Sequence, residues 1–364
     1  MYNKMMKRLA LLFVVFNFQF STFNTVHAQT EVEDFIPGTT LDGVNYFLPQ
    51  TALRITIVAE KTTTTPGELN KYAFRYLRIK DVPTAASTTW KIKSVNLEAF
   101  GVPDPEKAYN VKVKSKTLAP LVSLTRDGIL LSINTEVQES VLPALPQGTP
   151  AQKPLNPQQY MNQEMLSAGS TAKLAELCAQ EIYDIRESRN ALIRGEADNT
   201  PKDGEQLRLM LEQLDNQDRA LTQLFCGHTQ TSTEVFSLNY LPSKETERDI
   251  LFRFSQFSGV ADREDLSGQP VYISVKGTGN LPARQESEEA NKKKAKIMER
   301  GIFYNIPARE AISVFDLNKT YLQGECSMGQ FGYTEILSDA LLDKKVTTKV
   351  TFHQENGGVK KLEQ

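Results

Sequence analysis

Histidine is the usual proton-transfer group near neutral pH, and this chain carries three. His27 falls in a leader segment described below. His228 and His353 remain. Each stands near the edge of an expected element and reads as an isolated histidine, without the partners that a catalytic site needs. The sequence contains no Gly-x-Ser-x-Gly elbow, no His-Glu-x-x-His pair and no glycine-rich phosphate loop. The run from Cys226 through Gly227 to His228 offers two metal ligands where zinc takes three or four. A helix end followed by a turn glycine is the simpler reading. No catalytic, cofactor-binding or metal-ligating residue is assigned on these grounds, and no cofactor is expected.

Carboxylates are the remaining chemistry. Residues at about 100° steps place Leu174, Ile185 and Leu192 at the centre of one apolar stripe, with Glu181 inside the same arc. A second stripe holds Leu211 and Phe225 with Asp218 among them. If the two stripes belong to an antiparallel pair of helices, Glu181 and Asp218 come nearly level. Facing carboxylates split their pKa values and can serve as acid and base. The plainer reading is an Arg or Lys from elsewhere neutralising them, or side chains escaping to the seam edge. Tyr72, Phe74 and Tyr76 could stack on a sugar, although aromatics on a short helix more often fill a core. The lysine-rich run at residues 291–296, beside the acidic residues 286–289, reads as a solvated loop.

These residues need elements to hold them. Residues 171–194 carry Leu174, Leu177, Cys178, Ile182, Ile185 and Leu192 at helical spacing. Residues 204–225 repeat the pattern with Leu207, Met210, Leu211, Leu214, Leu221, Leu224 and Phe225. Each helix would span roughly 30 Å, and together they make a long hairpin over residues 170–226. Residues 42–136 read as a mixed α+β domain. Alternation at 53–60 predicts a strand. Pro66 and Gly67 open a short helix over 68–77. Strands follow at 90–100 and 108–114, with Pro103 and Pro105 marking the loop between them. Residues 121–124 and 129–133 form a hairpin about the Asp127–Gly128 turn. Five prolines in residues 137–158 predict a linker or a surface-hugging arm. Residues 231–355 read as a mainly antiparallel, sandwich-like β domain, with strands at 234–241, 250–257, 271–276, 301–306, 311–316 and 346–352. The fold class is α+β.

The start of the chain gives an address. Lys4, Lys7 and Arg8 precede an apolar run at residues 9–16, and Val26, His27 and Ala28 offer a cleavage site. This is the pattern of a secretory signal peptide over residues 1–28. The run falls short of the roughly 20 apolar residues a transmembrane anchor needs. Removing it takes three basic and no acidic residues, leaving 39 Lys and Arg against 44 Asp and Glu. That balance argues against nucleic acid and against anionic membrane surfaces as partners. An exported compartment permits one disulfide among Cys178, Cys226 and Cys326. A hairpin turning near residue 198 sets facing residues at a sum near 397. Cys226 then lies about two turns, or roughly 10 Å, from the level of Cys178, beyond bonding reach. A Cys226–Cys326 bridge stays open.

GVNYFLPQT at 43–51, YAFRYL at 72–77, DGILLSIN at 127–134, the helical block 174–194, GIFYNIP at 301–307 and GQFG at 329–332 together resemble a family of exported Bacteroidetes proteins. It is known only as domain of unknown function 4831. The resemblance spans nearly all of the mature chain. It implies a location in the envelope of a two-membrane bacterium, periplasmic or associated with the outer membrane, and transfers no activity, cofactor or site residue. The expected function is a non-enzymatic binding or scaffolding module. Its partner would be another envelope protein, or a second copy, met through the helical hairpin. The alternative is a hydrolase that uses carboxylates on envelope glycans, a chemistry that does not require histidine.

Overall fold

The computed structural model describes residues 30–34, 43–113, 122–197, 203–281, 301–337 and 348–363. The leader, the lysine-rich run at 291–296 and the turn between the long helices lie outside the described residues. Three antiparallel sheets and a helical unit make up the fold. The first sheet runs β1 (Thr30–Asp34), β3 (Ser87–Val113), β2 (Val44–Thr65) and β6 (His228–Tyr240). The second runs β11 (Thr320–Leu337), β10 (Ile302–Phe315), β9 (Gln269–Gly277), β7 (Thr246–Ser255) and β8 (Gly259–Ala261). The third runs β13 (Val359–Glu363), β12 (Lys349–Phe352), β5 (Leu130–Ile133) and β4 (Val122–Leu124).

Two cores share the long strands. The inner faces of the first two sheets meet through Leu53, Ile55 and Ile57 on one side and Val271, Ile273, Val275 and Val314 on the other. The opposite ends of the same strands enclose a second core. There Tyr46, Leu48 and Val111 pack with Ile302, Leu337, Ile133, Val350 and Phe352. β2 has 22 residues and β3 has 27, so each spans more than roughly 70 Å at about 3.3 Å per residue. That length lets one hairpin line both cores.

Pro103 and Pro105, expected to mark a loop, sit inside a strand. β3 is continuous through Pro103 and Pro105, and β10 is continuous through Pro307. The physical reason is a line of bulges. β2 and β3 shift register between Phe47 and Pro49, where Pro49 faces Pro103. β10 and β11 shift between Ile306 and Ala308, the residues flanking Pro307. A bulge relieves the ladder of a donor there, so proline is tolerated and the strand bends from one core to the next.

Glycines let the backbones cross at this junction. A Cβ at Gly332 would run into the Ile306 carbonyl oxygen, and one at Gly329 would lie 2.6 Å from Asn305 Nδ2. Asn305, fully buried, donates to the carbonyls of Pro49 and Asn356, both at 3.0 Å. Gly329 N donates to Thr51 Oγ1 at 3.1 Å, and Gln330 Nε2 donates to Thr51 O at 2.9 Å. The segments GVNYFLPQT, GIFYNIP and GQFG therefore meet at one crossing, as structural punctuation.

Residues 137–158 form an arm laid on the surface. Pro143 O accepts from Arg54, Thr149 O accepts from Thr233 N at 2.9 Å, and Gln152 O accepts from Gln230 at 2.8 Å. The arm thus follows the outer edge of β6, supplying partners to an otherwise open strand edge.

Candidate interaction surface on the paired helices

α3 (Thr171–Arg194) and α4 (Gly204–Cys226) follow from their ends as well as their stripes. Ser170 caps α3 by accepting from Lys173 N at 3.2 Å, and Gly195 closes it at φ 71°. Asp203 caps α4 by accepting from Glu205 N at 3.1 Å, and Gly227 closes it at φ 71°. Gly227 thus gives the Cys226–His228 run its turn. Left-handed residues cost least as glycine.

The roots of the two helices pack into a third core. Ala175, Cys178, Ile182, Leu221, Leu224 and Phe225 are buried there with Leu69, Ala73 and Leu77, and with Met165. Leu69 to Leu77 belong to the short helical segment that ends in α1 (Ala73–Leu77), and Met165 to α2 (Gln163–Leu166). The helices are thus seated on other helices; among the described residues no strand residue belongs to this core. The expected burial of Leu177, Leu211 and Leu214 is corrected. They are half-buried, whereas Ile185 on the same stripe as Leu177 is buried. Leu214 packs on the margin of this core, and Leu211 lies a turn further out along α4.

Ion pairs fix the register. Arg186 grips Asp218 with Nε at 3.1 Å and Nη2 at 3.0 Å, and Arg189 Nε pairs with Asp215 at 2.6 Å. Both pairs sum to 404, which shifts the helices from the expected 397. Asp218 also accepts from Thr222 Oγ1 at 2.8 Å. Glu181 does not face it. Glu181 accepts from Asn162 Nδ2 at 3.5 Å. The supposed acid–base pair is two separate carboxylates, and Arg186 of the same helical pair neutralises Asp218. The same register places Cys226 level with Cys178 rather than two turns away. Both thiols are free, as is Cys326. Cys226 packs on the helical core and Cys326 on the first sheet core, so the bridge left open is not made. Burial pushes the Cys178 thiol up to about 11, away from the thiolate that would react.

Beyond the root the helices lose cover. α4 has no buried residue before Ala220. Ile193 is 54% exposed and Leu209 52%, with Met210 also exposed. Leu192, next to Ile193 and on the apolar stripe, is buried. The surrounding charges are mixed and already paired: Arg194 with Glu196, and Arg208 with both Glu205 and Glu212.

The histidines fare differently. His228 opens β6 opposite Thr65. His353 Nδ1 lies 3.0 Å from Glu355 Oε1, so it is not isolated. His353 and Glu355 line an open cleft of about 560 Å³ with Asn305, Glu325, Cys326 and Ser327. Cys326 is pushed up to about 11 by burial and then by the Glu355 charge, so it stays a thiol near neutral pH. Glu325 pairs with Arg309 at 3.8 Å. Sequence reasoning missed this cleft because β11, which supplies Glu325 and Cys326, was not expected as a strand. The one available signal was the i,i+2 spacing of His353 and Glu355. The aromatic trio divides: Tyr72 and Tyr76 pack on the helical core, with ring centroids 6.2 Å apart, while Phe74 is exposed.

Residues 42–360 match the family described as Domain of unknown function (DUF4831), and the chain belongs to that family. No curated protein and no solved structure matches the chain.

Proposed function

We propose that this family member is an exported cell-envelope protein. It acts as a binding or scaffolding module that engages a protein partner through the outer halves of α3 and α4. One observation carries the reading. The two helices extend past their own core and present Ile193, Leu209 and Met210 to solvent, although a helix pair buries only its shared seam and leaves its apolar margins for another surface. Large exposed apolar side chains grouped together mark interaction sites more often than scattered ones do. The partner is another envelope protein or a second copy of the chain. The signal-peptide pattern of residues 1–28 supports the export part of the reading, and no helix among the described residues is long and apolar enough to cross a membrane.

The test is the double substitution Ile193→Glu and Leu209→Glu. Crosslinked partner recovered from envelope extract should be lost while the thermal midpoint is unchanged. A large loss of stability would make the outer halves core instead, and unchanged capture would defeat the reading.

A second reading, a hydrolase of envelope glycans, draws on the cleft that holds His353, Glu355 and Glu325. Glu325 pairs with Arg309, Glu355 contacts His353, and both carboxylates reach solvent, the opposite of the apolar setting that keeps a glycosidase acid protonated. The binding reading is therefore preferred.

A further inference from the structure

Residues 69–80 wrap a short helical turn against the roots of α3 and α4. Helical periodicity divides it cleanly. Leu69, Ala73 and Leu77 are buried in the helical core. Lys71, Phe74, Arg75 and Arg78, spaced i, i+3, i+4 and i+7, all fall on the exposed face. Lys80 is exposed beside them. Phe74 is 51% exposed, and its ring is bracketed by the Arg78 guanidinium at 5.7 Å and the Lys80 ammonium at 5.6 Å. Arg75 lies 5.3 Å from the Tyr76 ring. No carboxylate among the described residues pairs with any of the four cations, although Glu68 and Asp81 flank them in sequence. Elsewhere the described Arg and Lys residues repeatedly find acids, as Arg186, Arg189 and Arg208 do.

The backbone is bent to make this face. Arg78 and Asp81 are both left-handed, at φ 56° and 58°, a region that glycine occupies at far lower cost. Arg78 ends α1 there, and the turn that follows brings Lys80 back over Phe74. The Tyr183 hydroxyl donates to Tyr76 O at 2.8 Å, fastening the turn to α3.

We propose that Lys71, Phe74, Arg75, Arg78 and Lys80 form a docking face for an anionic lipid surface. Phosphate-bearing headgroups would meet the four cations while the Phe74 ring enters the headgroup boundary. Unpaired cations around one exposed ring suit such an interface, where aromatic rings settle at headgroup level and basic side chains face phosphate. The ring stands outward instead of flooring a cleft, which favours a broad surface over an enclosed small ligand. The net negative charge of the chain does not oppose this, because attraction to a charged surface decays within a Debye length, about 10 Å at 0.1 M salt. The face is separate from the outer halves of α3 and α4, and the inference stands without the partner reading.

Flotation of the full chain with vesicles tests it. Vesicles of equal parts phosphatidylglycerol and phosphatidylethanolamine should bind the protein, vesicles of phosphatidylcholine should not, and added salt should release it. The double substitution Lys71→Glu and Arg75→Glu should weaken binding by roughly thirtyfold or more, at about fivefold per basic side chain. Arg78→Gly relaxes the left-handed position, so it should keep or raise the thermal midpoint while weakening binding by about fivefold. Equal binding to both vesicle types, or full binding by Arg78→Gly and the double variant, would overturn the proposal. So would capture by soluble polygalacturonate with no capture by vesicles, which would make the face a reader of anionic polysaccharide.

Discussion

Glu310 lies on β10 with its Oε2 atom buried and without a hydrogen-bond partner among the described residues. Burial, and then the nearby Glu245 carboxylate, raise its pKa above the usual carboxylate range. The sign follows from linkage. A raised folded pKa means the folded state holds the proton more tightly, so stability is lost as pH rises from the unfolded carboxylate range through the folded value. Glu310→Gln should therefore raise the thermal midpoint at pH 7, corresponding to about 1 kcal/mol or more. The gain should shrink as pH falls below about 4, where the unfolded chain also takes up the proton. Calorimetry at both pH values checks this. An equal gain at both would mean packing, not charge, is responsible. Nothing in the sequence marked Glu310, because its burial comes from pairing between β9 and β11. His353 is a similar case. Its partner Glu355 is two residues away, but only the turn after β12 brings carboxylate and imidazole to 3.0 Å.

The long helices were the most legible elements. Apolar stripes at a 3.6-residue period, a Ser or Asp cap and a closing glycine all act locally, and α3 and α4 begin and end within a residue of where those signals place them. Their relative register was not legible, since it is set by which Arg reaches which Asp. Burial along them was misjudged for the same reason. The structure predicts that Leu221→Ala, in the root core, costs about 2–5 kcal/mol. Leu214→Ala, half-covered further out, should cost about 1 kcal/mol. Urea denaturation of both variants decides this, and equal losses would contradict the root-and-extension description. Strands were harder. Pro103 and Pro105 read as a loop, yet both lie in a continuous strand because a bulge absorbs the missing donors, as another bulge does at Pro307 in β10. β11 was missed altogether. Gly324, Gly329 and Gly332 interrupt its alternation, and the last two are there for backbone crossing.

Across the whole molecule, strands from both ends of the chain form two cores in line, and the helical unit is built on its own third core. The α+β class and the antiparallel character were legible from element types alone. The sharing of cores was not, because it depends on β6 pairing along β2 from Leu53 to Thr65. A net charge is a count over the whole chain and does not show the grouping of Lys71, Arg75, Arg78 and Lys80 on one exposed face. The export reading predicts a mature protein beginning at Gln29, which mass spectrometry of the exported chain would show; an intact Met1 would contradict it. The central claim is that the outer halves of α3 and α4 meet a protein partner. A photocrosslinking amino acid placed at Leu209 in growing cells tests it most directly, with the same group at the exposed root position Glu176 as the reference. The account predicts one discrete crosslinked species from position 209, absent from position 176 and lost when Ile193→Glu is added. No species from position 209, or the same species from both positions, would contradict it.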